Sequence, residues 1–400
     1  MKKNSIPFAG LHAHSVAGSP FDGLGYPKEH MDFAFENGAD ALALTDHGNM
    51  NGMAYQVLHA KKMLEEGKNF KPIFGIEAYF LPNLTKWKEE YERVKADKKT
   101  KSSIDDSRSG TTIEDETASK RTVKNTLNRR RHLILLAQNQ AGLNNIFEMV
   151  SKSFSKENFY RFPRIDYKML KKHNEGVIAA SACLGGVYAG NYWENKEYGE
   201  DAILEAVRHT TMEMINIFGD RWYGELQWNA IPDQHKLNKY IIQMHHEFGI
   251  PLISTADSHY PSPEAWKDRE LYKRLGWLGK TTSRPDYLST DIPESLEQIG
   301  YELYPKNGQQ MWDAYKYYSD YCGVKYNDDL IRHSIEETHQ IAHERIDSFI
   351  PDDTVRLPDF VVPDNSTAEQ TLTSLCVDRL CSMKLHHNKE YSDRMREELE

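Results

Sequence analysis

The chain has 400 residues, which is too many for one ordinary domain but enough for one large barrel and a smaller unit. Hydrophobic residues make up 39% of the chain and support a folded core. The 50 basic and 60 acidic side chains give a net charge of −10, which excludes a surface that binds nucleic acid throughout. A local basic patch stays compatible with phosphate binding.

The cysteines and the apolar runs bear on the compartment. Four cysteines are too few and too scattered for a disulfide framework, so we expect a reducing environment. The N-terminal stretch is interrupted by Pro7 and Gly10 and lacks the apolar core of a signal peptide. No run approaches the roughly 18 apolar residues of a membrane span. The sequence predicts a cytoplasmic protein with no membrane partner.

From Ile6 to about Pro261, short apolar runs alternate with amphipathic stretches, a pattern typical of an α/β protein. The first helix is predicted to begin at Pro27 and to end at Gly38. Continuous apolar runs favour parallel strands covered on both faces, and their number favours a barrel over a short open sheet. The predicted strands are Ala41–Thr45, Ile73–Ile76, Leu133–Leu136, Val177–Ala180 and Leu252–Thr255.

The segment from Lys86 to Arg131 interrupts this rhythm. It holds 14 basic and 9 acidic side chains and few aliphatic ones. This composition favours a solvated or disordered insertion. The alternative is an arm that contacts DNA, with Arg129, Arg130 and Arg131 as its best residues.

Beyond about residue 265 the pattern changes to helices joined by polar loops, so we divide the chain into domains 1–265 and 266–400. One helical stripe is predicted at Ile331, Ile335, Thr338, Ala342 and Arg345. A capping box is predicted at Ser366 and Glu369. The sequence stops inside a further predicted helix, which suggests a truncated or split protein.

Polar residues with metal-ligand chemistry follow the predicted strands. His12 and His14 are two apart on extended chain, which directs both imidazoles to one face. Alone, such a pair is weak evidence for a metal site. Asp257 and His259 repeat the spacing after another strand, and His47 follows Ala41–Thr45. Two pairs at strand ends, where α/β folds build their sites, predict a metal centre.

Further residues extend the candidate set. Glu77 follows the strand Ile73–Ile76, His132 opens the next strand, and Asp22 follows the first histidine pair. Cys183 lies just beyond Val177–Ala180; a lone buried cysteine is usually a small hydrophobe, but its thiolate could ligate a metal here. The full candidate set is His12, His14, Asp22, His47, Glu77, His132, Cys183, Asp257 and His259.

These motifs resemble the polymerase-and-histidinol-phosphatase (PHP) domain of bacterial-type replicative DNA polymerases, the DNA polymerase III alpha subunit family. The resemblance covers essentially the whole chain, and it leaves bacterial and phage origin open. It departs from the family in a segment between His14 and Asp22 that is one residue longer, and in the long insertion. The matching stretches are Gly10–Ser15, Phe21–Gly23, Ala41–Asn49, His132–Asn139, Gly176–Gly186, Tyr223–Gln227, Ser254–Tyr260 and the tail Ala368–Glu400.

The resemblance implies a distorted, TIM-like, seven-stranded PHP barrel followed by a mostly helical start of the polymerase region. It assigns all nine candidates as metal ligands that hold a catalytic hydroxide for phosphodiester hydrolysis, in this family a 3′→5′ proofreading exonuclease. Mixed imidazole, carboxylate and thiolate ligands suit two or three Zn²⁺ ions, with Mn²⁺ as the alternative. The polymerase carboxylates with their Mg²⁺ are expected beyond Glu400. The implied partners are DNA, a sliding clamp and a clamp loader.

Two other functions stay open at this point. The first is a non-catalytic PHP domain that scaffolds the polymerase or docks a separate proofreading subunit. The second is a free-standing phosphatase that acts on a small phosphate monoester such as histidinol phosphate. The second function would not require the region that follows Pro261.

Overall fold

The computed structural model describes residues 6–100, 129–276, 293–351, 354, 357 and 360–399, with side chains for these residues except 94–100. Contacts divide the chain into two compact units, Met1–Pro351 and Asp352–Glu400. The predicted boundary between domains 1–265 and 266–400 separates two functional regions and is not tested by this division into compact units. It stays a prediction.

A curved six-stranded sheet forms the centre of the first unit, with its strands in chain order. The β1–β2, β4–β5 and β5–β6 pairs are parallel. Each of the five predicted strands is present, with boundaries shifted by a few residues. The strands are β1 Ala41–Leu44, β2 Lys71–Phe80, β3 Arg131–Ala137, β4 Val177–Ala180, β5 Trp222–Leu226 and β6 Leu252–Ser254.

An extended segment near the N-terminus links the two edges of this sheet. Gly10 bridges Leu42 in β1, and Ala13 bridges Ser258, which follows β6. The backbone hydrogen bonds include Thr45 N to Ala13 O at 2.8 Å and His14 N to Ser258 O at 2.7 Å. The segment therefore occupies a seventh position between β6 and β1, and the predicted α/β barrel is confirmed.

The direction of β3 differs from the prediction of a parallel sheet. It runs antiparallel to both neighbours, with Glu77 opposite Ile134 and Ile134 opposite Ala180. The apolar sequence of β3 indicates that both of its faces are buried. Such a strand is apolar whether it runs parallel or antiparallel to its neighbours, so the sequence does not indicate its direction. The reversal has one consequence for the site: His132, at the start of β3, lies at the barrel end where the parallel strands finish.

Two apolar layers hold the barrel together. The inner layer consists of small and branched side chains that fill the space enclosed by the sheet, such as Ala43, Ile134 and Ile253. The outer layer joins the sheet to the surrounding helices. The helices of the first unit are α1 Pro27–Glu36, α2 Met53–Glu65, α3 Leu84–Thr100, α4 Gln140–Ser153, α5 Tyr167–Lys172, α6 Val187–Asn195, α7 Glu200–Phe218, α8 Pro232–Phe248, α9 Trp266–Leu275, α10 Leu296–Ile299, α11 Gly308–Tyr321 and α12 Asp328–Gln340.

The segment that follows α12 closes the amino end of the barrel. The helix passes into a π-helical turn, Ile341–Arg345. Ile341, Ala342 and Ile346, here called the plug, belong to the inner apolar layer and are at most 3% exposed. The predicted helical stripe is confirmed at Ile331, Ile335, Thr338 and Ala342, which are all buried. Its last member, Arg345, is half-buried and pairs with Asp220 at 2.6 Å.

The charged insertion is only partly within the described residues. Its first part is the helix α3, whose Trp87 is buried, so a disordered chain is wrong for that part. Residues 101–128 lie outside the described part of the chain. Arg131 is wrong as a DNA-contacting residue, because it is buried in β3 and donates to Asn191 Oδ1 at 2.8 Å.

The second unit contains two helices among its described residues, α13 Ala368–Ser382 and α14 Lys389–Leu399. The predicted capping box is one residue out of place. Gln370 N donates to Thr367 Oγ1 at 3.2 Å, and Thr367 N donates to Gln370 Oε1 at 3.0 Å. Both frames carry a hydroxyl and a long acceptor three residues apart, so spacing alone could not separate them. Over the part of the chain that the structure describes, no helix has the length and apolarity to cross a bilayer.

Candidate metal centre

All nine predicted site residues lie together at the carboxyl end of the barrel and are here called the carboxyl-end cluster. Parallel strands finish at this end, so the residues that follow β1 and β6 meet there. Glu77 lies within β2 rather than after it, and it bridges His47 across the sheet. The cluster consists of His12, His14, Asp22, His47, Glu77, His132, Cys183, Asp257 and His259.

The first histidine pair converges on Asp257. His12 Nε2 and His14 Nε2 are 3.0 Å apart, and Asp257 Oδ1 lies 3.1 Å and 3.2 Å from them. All three side chains are nearly or fully buried. Asp257 adopts the left-handed backbone conformation with φ +47°, a mildly unfavourable state that aspartate tolerates and that directs its carboxylate to the pair.

Glu77 is the centre of the cluster and is fully buried. One oxygen, Oε2, lies 2.6 Å from His47 Nδ1 and 3.4 Å from His14 Nε2. The other, Oε1, lies 2.7 Å from His132 Nδ1 and 3.7 Å from His12 Nε2. One carboxylate thus faces four imidazoles, a geometry that suits a bridging ligand.

Cys183 lies beside Glu77 and His132. Its Sγ is 3.7 Å from Glu77 Oε1 and 3.6 Å from His132 Nδ1. Gly185 N donates to the sulfur at 3.4 Å. The preceding residue, Ala182, has φ +59°, so a tight turn after β4 brings the sulfur back towards the site.

Asp22 completes the cluster beside His47 and His259. Its Oδ2 lies 3.1 Å from His47 Nε2 and 3.5 Å from His259 Nε2. Arg269, from α9, donates to Asp22 Oδ1 at 2.5 Å and to the Asp22 carbonyl at 3.0 Å. The donor atoms form three overlapping groups, each within 4.8 Å: His12, His14 and Asp257; His47, Glu77 and His132; His14, His47 and His259. Asp22 and Cys183 lie beside them.

Three residues around the cluster were not selected from the sequence. Glu225, in β5, accepts a hydrogen bond from His12 Nδ1 at 2.7 Å, and Arg269 holds Asp22. Asp46 accepts from the Ser15 backbone and hydroxyl, and burial raises its pKa to about 6. Glu225 and Asp46 lay inside stretches noted for their resemblance, but only the folded sheet shows which face they occupy.

The carboxylates of the cluster are held in their charged form. Burial raises the pKa of Glu77, but the imidazoles of His132 and His47 outweigh it and hold that pKa well below its usual range. Burial likewise opposes ionisation of Asp257, and its neighbouring histidines lower its pKa in the same way. The cluster therefore provides carboxylates, the form that binds cations.

The histidines and the cysteine respond to their surroundings differently. Burial lowers the pKa of His12, yet Asp257 and Glu225 raise it well above its usual value. Burial and adjacent imidazoles lower the pKa of His14. Burial together with nearby carboxylates raises the pKa of the Cys183 thiol, so a thiolate there requires a cation.

The donor atoms fit divalent cations. Asp257 Oδ1 and Glu77 Oε2 are buried, and their contacts lack hydrogen-bond geometry among the described residues. Buried carboxylate oxygens left in this way are costly unless a cation meets them. The separations of 3.0, 3.1 and 3.2 Å among His12, His14 and Asp257 are close to the roughly 3.3 Å edge of a tetrahedral zinc site.

Comparisons with known proteins identify the family of the chain. The PHP domain family model matches residues 10–229. DNA polymerase III subunit alpha of Aquifex aeolicus is 31% identical over 99% of this chain and 30% of its own length. The Helicobacter pylori protein of that name is 31% identical over 78% of this chain and 22% of its own length. An amidohydrolase structure from Chromobacterium violaceum is 14% identical, covers 66% of this chain and 96% of that chain, and has a TM-score of 0.34.

Proposed function

The chain belongs to the PHP domain family, and we propose that its carboxyl-end cluster hydrolyses phosphodiester bonds of DNA as a metal-dependent 3′→5′ exonuclease. The observation that carries this proposal is the convergence of nine ligand-type side chains around Glu77. Three carboxylates and five imidazoles, five of the eight buried, match what divalent ions need, whereas apolar side chains would serve packing better.

Each of the three groups would hold one ion, most suitably Zn²⁺ and alternatively Mn²⁺. Glu77 would join the groups, because its two oxygens face histidines on different sides. When bound, such ions lower the pKa of a water and stabilise the attacking and leaving oxygens of a phosphoester. Asp22, Glu77, Asp257 and an ionised Cys183 carry at most four negative charges, so three divalent ions would leave about +2, a positive site that attracts phosphate.

Residues of the chain outside the nine would orient the ligands. Glu225 accepts from His12 Nδ1, which fixes the tautomer of His12 and leaves Nε2 facing the site. Thr255 Oγ1 and Gln227 Nε2 donate to the same Glu225 oxygen at 2.6 Å and 3.0 Å and hold it in place. Arg269 fixes Asp22 in a similar way, so that its second oxygen turns to His47 and His259.

The extent of the similarity favours a polymerase context over a free-standing phosphatase. The Aquifex aeolicus relative aligns with 99% of the chain, well beyond the PHP match at residues 10–229. The chain spans 30% or less of the length of the relatives named above. We therefore propose a PHP domain over 1–265 and, over 266–400, the start of the polymerase region of a replicative enzyme in the cytoplasm. The nucleotidyl transfer of such a polymerase, its Mg²⁺ and its clamp and clamp-loader partners are assigned to the complete protein.

The test compares DNA end trimming by the parent chain and by His14→Ala. We expect His14→Ala to lower the rate roughly 100-fold or more, because its imidazole contacts both Glu77 and Asp257. His59→Ala is the matched control: His59 also pairs with a carboxylate, Asp32, at 2.8 Å, but it lies on α2 outside the cluster. Equal rates for all three proteins would overturn the nuclease and expose a contaminating enzyme.

The same preparations separate the two alternatives. A parent protein that binds the ions, is folded and leaves DNA intact would favour the non-catalytic scaffold. Turnover of a small phosphate monoester without action on DNA would favour the phosphatase. Primer extension by these 400 residues would contradict the assignment of polymerase chemistry to the part of the protein beyond them.

A further inference from the structure

A second group of metal-ligand side chains lies at the opposite, amino end of the barrel. Asp40 directly precedes β1, whereas His47 of the carboxyl-end cluster follows it. His343 Nε2 lies 3.0 Å from Asp40 Oδ1, and His339 Nε2 lies 3.5 Å from Asp40 Oδ2. We call Asp40, His339 and His343 the amino-end cluster. The four residues of β1 rise about 13 Å, so the two clusters are separate sites.

We propose that the amino-end cluster binds one divalent transition-metal ion of the zinc type, which clips the plug to the barrel. The donor atoms of the three side chains all lie within 4.8 Å of one another. The two imidazole nitrogens approach different oxygens of Asp40, at 3.0 Å and 3.5 Å, so a cation between the rings would meet the whole carboxylate. Two imidazoles and a carboxylate are ligands that zinc accepts, and they exclude a preference for Mg²⁺ or Ca²⁺.

The helix explains why the two imidazoles meet. His339 is in the last turn of α12, and His343 is four residues later in the π-helical turn. Residues four apart lie on the same face of a helix. Their ring centroids are 4.3 Å apart, and both Nε2 atoms face Asp40. The side chains are about one-third to one-half exposed, which leaves space for water as a fourth ligand.

The charges around the cluster permit a cation. Lys71 is one nearby positive group, but its ammonium is directed to two carbonyls, Ala342 O at 2.6 Å and Ile346 O at 2.5 Å. Burial lowers the pKa of Lys71, while Asp347 and Asp40 raise it. Two carboxylates, Asp40 and Asp347, thus act on this lysine, and Arg345 on the same turn is paired with Asp220 at 2.6 Å.

The position of the cluster gives the ion a structural role. His339 and His343 flank Ile341 and Ala342, two of the three plug residues that fill the amino end of the barrel. An ion held between them and Asp40 would join the plug to the strand β1. Because the ligands come together only in the folded chain, the ion would raise the unfolding temperature.

The experiment measures zinc per chain after metal removal, reloading and dialysis, together with the unfolding temperature with and without ZnCl₂. We expect His339→Ala/His343→Ala to lose one equivalent of zinc relative to the parent, and part of the zinc-dependent rise in unfolding temperature. The matched control is His333→Ala, a histidine on the same helix that pairs with Glu337 at 3.9 Å and lies outside the cluster. It should keep the full zinc content.

Equal zinc content in the parent, the double variant and the control would overturn the proposal. Asp40→Asn tests it without removing an imidazole, because the amide keeps the shape but loses the charge; we expect affinity for that equivalent to fall at least tenfold. Unchanged affinity in a folded Asp40→Asn protein would also overturn it. DNA trimming is measured in the same variants: a nuclease that fails in the parent refutes the proposed function alone, whereas retained zinc in the double variant refutes only the amino-end site.

Discussion

The two ends of the barrel are built from opposite materials. At the carboxyl end, nine polar side chains are packed together around the buried Glu77. At the amino end, the plug residues Ile341, Ala342 and Ile346 close the same barrel with apolar contacts. Burying the charged groups at the carboxyl end costs free energy unless cations meet them. The apolar contacts at the amino end stabilise the fold directly. The comparison indicates that the proposed metal centre and the apolar closure lie at different ends of one sheet.

The largest expected effect on stability comes from the plug. Ile341 is fully buried, so Ile341→Ala should lower the free energy of unfolding by about 2–5 kcal/mol through lost contacts and a cavity. DNA trimming at a temperature where the variant is folded should stay at the parent rate. Denaturant unfolding with a metal chelator present measures the change. Loss of trimming in the folded variant would show that the two ends are coupled.

Glu225→Gln, at the carboxyl end, should weaken metal binding and leave the free energy of unfolding nearly unchanged. The amide removes the charge that accepts from His12 Nδ1, so affinity for the ion held by His12 should fall about 10–100-fold. Zinc titration of the metal-free protein measures this change. The free energy of unfolding without metal should change much less than in Ile341→Ala, and a larger change would contradict the division between the ends.

Lys71→Met tests the polar rim of the plug. The variant keeps most of the aliphatic stem but loses the hydrogen bonds to Ala342 O and Ile346 O. We expect a loss of about 1–2 kcal/mol in the free energy of unfolding, because two partly buried carbonyls lose a charged donor. The measurement is denaturant unfolding beside Ile341→Ala. A loss as large as that of Ile341→Ala would mean that the hydrogen bonds of Lys71 stabilise the closed amino end as much as the apolar plug does.

The smallest effect is expected away from both clusters, at Asp233 in the first turn of α8. Its carboxylate accepts from Tyr192 at 2.6 Å. Burial raises the pKa of Asp233, but the hydrogen bond from Tyr192 and two lysines lower it below its usual value. Asp233→Asn should cost about 0.5–1 kcal/mol at neutral pH.

The pH dependence of this small effect has a defined sign. A lowered folded pKa means that the contribution of Asp233 is fully present above its unfolded value of about 3.9 and is lost as the pH falls through the folded value. Unfolding of the parent and of Asp233→Asn should therefore converge below about pH 4. Parallel curves down to pH 3 would show that the charge contributes nothing.

Much of the architecture follows from local pattern. The apolar runs predicted the strands β1 to β4 and β6, because a strand covered on both faces must be apolar along its length. Pro27 and Gly38 predicted α1, and Gly38 has φ +92°, which glycine adopts without strain. The helical stripe from Ile331 to Ala342 predicted buried positions, although not what they would cover.

The candidate site was accessible from the sequence for the same reason. Residues i and i+2 of a strand point to the same face. The sequence alone therefore predicted that His12 lies on the same face as His14, and Asp257 on the same face as His259. Parallel strands then bring their ends together. The structure gathers all nine predicted side chains, while their roles as ligands stay predictions.

Other features were decided only by tertiary structure. The antiparallel direction of β3 brings His132 to the site, and no apolar run records its direction. Glu225 and Arg269 reach His12 and Asp22 across 213 and 247 residues of chain, and local periodicity contains no signal for such contacts. The amino-end cluster joins Asp40 to His343 over a separation of 303 residues. Local sequence determines which face of an element is apolar or polar, whereas the meeting of two faces depends on the packing of the whole chain.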